Sequence, residues 1–271
     1  MWVGAQRRKF FLPAVTDHNF AGLRQYARST MLAAGARSGI YHRGRLHFPD
    51  EERSVSEFDQ ARNHMVDCQI RPSDVTDGSI LAAFMHVDRH AFTPRSRLAT
   101  AYADGEVITG ENRVMMRPRD MAKLIQAADI KPGELVLDIA GGRGYSCAVL
   151  ARLAETVVGL EDDEDSLSRS SDLLSAAGAD NAVVIKGELK AGVPGQGPFD
   201  VIFVNGSIDE VPAAWLEQLS EGGRLVAVIR RGPIGKATVF TCSDAGIGER
   251  VVFDSNASLL PGFEAEKAFA L

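Results

Sequence analysis

The residues whose type and order could do chemistry lie between 136 and 161. The apolar run VLDI ends in Asp138 and Ile139, a loop with Gly141, Gly142 and Gly144 follows, and a helical stretch from Ser146 begins directly after it. Glycines serve where a backbone must turn sharply or approach a ligand without a side chain between them. The amino end of the next helix adds free backbone N–H groups beside that turn. Seventeen residues after Gly144, Glu161 ends the apolar run VVGLE, where a carboxylate can accept hydrogen bonds from both hydroxyls of a ribose. Strand, glycine loop, helix, strand and acid together describe a nucleoside pocket, although a strand and a glycine turn without the two acids could be mere topology.

The acids narrow the nucleoside. A dinucleotide fingerprint G-x-G-x-x-G/A fits Gly142 and Gly144 but fails at its third position, which is Cys147. Asp138 would also face a pyrophosphate there. It suits a ligand with a positive centre and an amino acid moiety, because unlike charges attract most where water is excluded. S-adenosylmethionine, with its sulfonium and ammonium groups, is the expected cofactor, and a nicotinamide is the distant alternative.

Elements that could hold these residues follow from hydrophobic period. Asp77 precedes Ile80, Leu81, Phe84 and Met85, a cap signal and helical spacing that predict a helix over 77–87. Met121, Leu124, Ile125 and Ala128 predict another, stopped before Lys131-Pro132-Gly133. Strands are expected at 135–139, 156–160, 182–185, 199–204 and 224–229, with helices at 146–153, 165–177 and 211–219 between them. This alternation gives an α/β fold: a doubly wound, mostly parallel sheet with helices on both faces. Such sheets bind ligands at the carboxyl ends of their strands. The end of the chain reads as β-rich, with strands at 238–241 and 250–253.

Charge divides the chain. Residues 1–48 carry eight Lys or Arg against the single acid Asp17, a net charge of +7, so with −6 overall the remainder carries −13. Residues 1–56 are therefore expected to be a basic amino-terminal extension, disordered, an address or a mis-started reading frame, and residues 57–271 the functional domain. An acidic domain argues against a nucleic-acid partner, and no run is long and apolar enough to span a bilayer. The three cysteines, Cys68, Cys147 and Cys242, are odd in number and widely spaced, which predicts buried, inert thiols, no disulfide framework and no metal site. A cytoplasmic monomer is the expectation. His64, His86 and His90 precede the fold proper and are read as surface or packing residues rather than bases.

From about residue 57 onward the chain resembles the protein-L-isoaspartate O-methyltransferase family, class I S-adenosylmethionine-dependent enzymes of Rossmann-like fold. VLDIAGGRGYSCAVLA is similar to the family's first cofactor motif, VVGLE to its ribose-binding acid, and FDVIFVNGSIDEVPAAWLEQLSEGGRLVAVI to its later motifs. The resemblance implies cofactor contacts at Asp138, Gly142 and Gly144 around the methionine portion, at Glu161 for the ribose, at Glu188 after Gly187 beside the adenine, and at Asn205 near the departing methyl. It implies a protein or peptide carrying isoaspartyl residues as the acceptor. Two departures stand out. Ala140 replaces the motif's first glycine, and the substrate loop, which in the family reads like G-x-T-I-S-Q-P, here reads Gly110-Glu111-Asn112-Arg113-Val114-Met115-Met116-Arg117-Pro118. Val114 and Met116 thus stand where the family has hydroxyls.

A carboxylate acceptor is ionised at neutral pH and needs no general base, so no catalytic acid or base is assigned. Arg113 or Arg117 could grip an anionic acceptor bidentately, or be solvated loop charges. Three functions remain open: methylation of damaged aspartyl residues, methylation of another acceptor on the same fold, and cofactor binding without catalysis.

Overall fold

In the computed structural model, residues 56–265 are described. The expectation for residues 1–56 lies outside them except at Ser56, which caps the first helix. The Ser56 side chain accepts from the Asp59 backbone N–H while Asp59 reaches back to Ser56, a reciprocal cap that starts α1 (Glu57–Met65). Sequence reading did not anticipate α1, although Phe58, Ala61 and Met65 at helical spacing pack on the core. A π-helical turn and a 3-10 turn carry the chain to α2 (Gly78–His86), capped by Asp77. A short hairpin, β1 (Val107–Ile108) and β2 (Val114–Met115), occupies the stretch read as loop. Then α3 (Pro118–Ala128) begins on a proline, whose missing N–H costs nothing at a helix start.

The sheet is built from β3 (Leu135–Ile139), β4 (Thr156–Glu161), β5 (Ala182–Lys186), β6 (Phe199–Ile208), β7 (Leu219–Ile229), β8 (Gly235–Ser243) and β9 (Gly246–Ser255). Helices α4 (Tyr145–Leu150), α5 (Glu164–Ala176) and α6 (Ala213–Leu216) lie between strands. Strand order is β5-β4-β3-β6-β7-β8-β9; the first five are parallel and the last two antiparallel. The chain therefore winds outward from β3 in one direction and from β6 in the other, as expected for a doubly wound sheet. Side chains alternate between faces along a strand. Val136, Val201, Phe203, Val226 and Val228 join the core that includes α1 to α4, and their alternates Leu137, Ile139, Ile202, Val204 and Leu225 are buried too. Both faces are covered.

Two expected helices are shorter than their pattern. The one over 146–153 stops at Leu150 and ends in turns, and the one over 211–219 keeps only four residues, Ala213–Leu216. In the second case Leu219 pairs with Phe199 as the first residue of β7, and the pairing slips before Arg224 meets Val201. Sheet pairing has overridden a weak helical period.

Candidate functional site

The winding reverses between β3 and β6, leaving a crevice at their carboxyl ends. Asp138 and Asn205 meet in it: Asn205 Nδ2 donates to Asp138 Oδ1 at 2.6 Å and to the Ile139 carbonyl at 3.0 Å. The other carboxylate oxygen accepts from Ser146 Oγ at 2.5 Å and Cys147 Sγ at 2.9 Å, both in the first turns of α4. Asp138 is fully buried, and burial, outweighing those donors, pushes its carboxyl up to about 6. The same burial raises the Cys147 thiol well above its ordinary range, so this cysteine is an inert donor rather than a nucleophile. Ser146 and Cys147 were not singled out as partners of Asp138; their place at the start of a helix facing the strand end is the signal that points to them.

The loop between β3 and α4 is shaped by close approach. A Cβ on Gly141 would lie 2.6 Å from Asp138 Oδ2 and 2.8 Å from Ser146 Oγ, so only glycine leaves that carboxylate its place. Gly144 caps α4 with φ of 95°, a left-handed conformation that favours glycine. Ala140, where the family has glycine, adopts φ of 58° and accepts the strain that a Cβ brings there.

Glu161 ends β4 fully buried. Its Oε2 accepts the Gly142 N–H at 2.8 Å, so the glycine loop and the second acid are joined directly. Its Oε1 accepts the N–H groups of Asp162 at 2.9 Å and Asp163 at 3.0 Å, and Arg113 Nε at 2.8 Å. Burial is the largest influence on Glu161 and raises its pKa despite the guanidinium beside it. Arg113 is only 3% exposed and also pairs with Asp162. It is neither a solvated loop charge nor aimed at open solvent: the β1–β2 hairpin turns it inward onto Glu161. Arg117 is half-buried and sits 3.6 Å from Asp104.

Five of the six residues expected to contact a cofactor thus cluster, with Asp138 bonded to Asn205, Gly142 to Glu161, and Gly144 two residues on in the same loop, at the head of α4. Glu188 stands apart as an exposed residue just beyond the carboxyl end of β5, beside β4. Met116 is buried and Val114 half-buried. Arg89, unnoticed in the sequence, is fully buried with no carboxylate partner among the described residues: Nε donates to the Ala101 carbonyl at 2.8 Å and Nη2 to the Met116 carbonyl at 2.7 Å, with the guanidinium 4.9 Å above the Tyr145 ring. It ties the segment before α3 to the start of α4. His90 stacks on Phe58 at 4.1 Å and contacts the Tyr102 hydroxyl, a packing role.

A crevice holding two buried carboxylates, both raised in pKa, against one buried guanidinium is short of positive charge and rich in acceptors. A ligand that brings a cation and hydroxyl donors fits it; a pyrophosphate does not. The fold and this crevice define a class I methyltransferase. Comparison with known proteins makes the assignment narrower. A family model described as protein-L-isoaspartate(D-aspartate) O-methyltransferase matches residues 60–247. The protein-L-isoaspartate O-methyltransferase of Methanoculleus marisnigri is 35% identical over 168 residues, covering 62% of this chain and 76% of that relative. That of Opitutus terrae is 36% identical over 176 residues, covering 65% and 73%. Among solved structures, a protein-L-isoaspartate O-methyltransferase superposes with a TM-score of 0.66 at 27% identity, covering 74% of this chain and 66% of that one. A Plasmodium falciparum structure described as a putative member, in complex with S-adenosyl-L-homocysteine, superposes with a TM-score of 0.63 over 76% of this chain and 98% of its own; at 20% identity it speaks to the fold alone. The chain belongs to the protein-L-isoaspartate O-methyltransferase family.

Proposed function

We propose that this protein transfers a methyl group from S-adenosylmethionine to a carboxylate of damaged aspartyl residues in proteins, a repair reaction. The observation that carries the reading is the pair of buried carboxylates, Asp138 and Glu161, at the switch point of a sheet whose chain belongs to this family. Asp138, oriented by Asn205, Ser146 and Cys147, would face the ammonium and sulfonium of the cofactor, and Glu161 the ribose hydroxyls. Gly142 and Gly144 shape the loop around the methionine portion, and Glu188 lies on the side where the adenine would rest. The bound cofactor supplies an electrophilic methyl group on a leaving group that departs as a neutral thioether.

The acceptor carboxylate is ionised at neutral pH, so the protein has to align and enclose it rather than deprotonate it. The acceptor is a protein or peptide met by the monomer, and the site of action is the cytoplasm, in keeping with three free cysteines, one of them exposed. Among the described residues no helix is long and apolar enough to cross a membrane. Val114 and the buried Met116 favour a second reading, in which the same fold methylates another carboxylate. Titration calorimetry with S-adenosyl-L-homocysteine and NAD tests the pocket: binding of the first and not the second is expected, and the reverse would remove the methyltransferase reading. With homocysteine-form cofactor bound, competition between an isoaspartyl peptide and its aspartyl twin separates the two acceptor readings; equal binding would favour the second.

A further inference from the structure

Glu161 has more donors than its role as a ribose acid allows. A carboxylate oxygen offers two lone pairs. Oε1 already accepts three N–H groups, from Asp162, Asp163 and Arg113, while Oε2 accepts only that of Gly142. One ribose hydroxyl can therefore reach Oε2 directly, and the other needs a place on Oε1. The two backbone donors there belong to the turn after β4 and cannot leave without unmaking it. The Arg113 side chain can, because its Nη2 already rests on Asp162, which is 53% exposed and has room to follow. Arg113 is also the anchor of the hairpin: its carbonyl accepts from Thr109 N at 2.9 Å and Gly110 N at 3.3 Å, and its Nη1 donates to the Asn112 carbonyl at 2.7 Å.

We propose that Arg113 is a positioning residue that competes with the cofactor's ribose for Glu161, and that cofactor binding hands its guanidinium from Glu161 to Asp162. The proposal rests on the assignment of Glu161 to the ribose. It gives the hairpin a defined duty. The Arg113 pair neutralises Glu161, which would otherwise be a buried, unpaired charge. With ribose in place, its hydroxyls and the backbone N–H groups of Gly142, Asp162 and Asp163 would stabilise Glu161 in the guanidinium's stead, while Asp162 keeps the guanidinium neutralised near the surface. The hairpin that carries Val114 and Met115 is thereby tied through Arg113 to Asp162 rather than to Glu161 when the cofactor site is filled.

The test is a double-mutant cycle on the affinity of the full-length protein for S-adenosyl-L-homocysteine, read by calorimetry. Arg113→Gln removes the competitor and is expected to tighten binding several-fold. Asp162→Asn removes the second partner and is expected to weaken it several-fold. In the Arg113→Gln background, Asp162→Asn should change nothing, which is the non-additivity of a shared partner. A merely structural Arg113 would give weaker binding for Arg113→Gln and additive effects, and that result overturns the proposal. Should Arg113→Gln fail to fold, Asp162→Asn at its exposed position still decides, since unchanged affinity there refutes the hand-over. Glu161→Ala keeps the two ideas apart: if it leaves affinity unchanged, the ribose assignment itself is wrong, whereas loss of affinity together with additive cycle effects removes only the hand-over.

Discussion

Replacing Asp138 by asparagine separates what this residue costs the fold from what it gives the cofactor. Burial lifts its carboxyl from the ordinary 3.8 to about 6, a shift of about two units or ~3 kcal/mol at about 1.4 kcal/mol per unit. The sign follows from proton counting. Between pH 4 and 6 the folded protein holds this proton and the unfolded chain does not, so stability falls as pH rises through that window, and the loss is complete above the folded pKa. Asparagine cannot ionise, so at pH 7.5 the variant escapes the ~3 kcal/mol. It gives back part through weaker bonds from Ser146, Cys147 and Asn205, on the order of 1–2 kcal/mol together. Cofactor-free Asp138→Asn should be more stable than wild type by about 1–2 kcal/mol at pH 7.5 in urea unfolding. The advantage should shrink between pH 6 and 4 and stay level above pH 6.5. The same variant should bind S-adenosyl-L-homocysteine at least ~10-fold more weakly, the loss of a charge-assisted contact to the ammonium. A variant less stable than wild type at pH 7.5, or a difference that does not change with pH, would refute the claim that burial of an ionised Asp138 is a cost held for the ligand.

Other outcomes follow from the same geometry. Glu161→Ala should weaken cofactor binding by about 1–3 kcal/mol in calorimetry, the effect of hydroxyls left unpaired in a buried site; unchanged affinity would misplace the ribose. Ala140→Gly relieves a left-handed alanine at the expense of a freer unfolded chain, and should be neutral or stabilising by up to about 1 kcal/mol in chemical denaturation. A loss above 1 kcal/mol there would contradict the strain. Met116→Ser restores the family's hydroxyl in a position that is now buried, and should lower stability by about 2–4 kcal/mol through lost packing; an unchanged melting curve would mean that the loop repacks freely.

What could be read in the sequence is what burial writes into it. Strands covered on both faces appear as nearly continuous apolar runs, so those over 135–139, interrupted by Asp138, and over 199–204 are evident, and with them the parallel sheet; the strand order and its switch point appear only in the structure. The glycines after Asp138 and the acid ending VVGLE are local in the chain, and they came together as their spacing implied. Arg113 was not legible in the same way, because its meaning comes from Glu161, 48 residues further on, and a charge in a glycine-bearing loop looks solvated until the hairpin turns it inward. The turn signal Gly110-Glu111-Asn112 between two apolar pairs was the clue to that hairpin. Arg89 is harder still: it pairs with carbonyls and a ring face, which carry no residue-type signature. The last helical stretch failed for a different reason, since Leu219 gained more from pairing with β6 than from another helical turn.

The central claim is tested most directly by transfer of a labelled methyl group from S-adenosylmethionine to an isoaspartyl peptide and to its ordinary aspartyl twin. Base-labile methyl ester on the isoaspartyl peptide alone, lost with Asp138→Asn, is the predicted result. Cofactor binding with no ester on the isoaspartyl peptide, or equal ester on both, would contradict it.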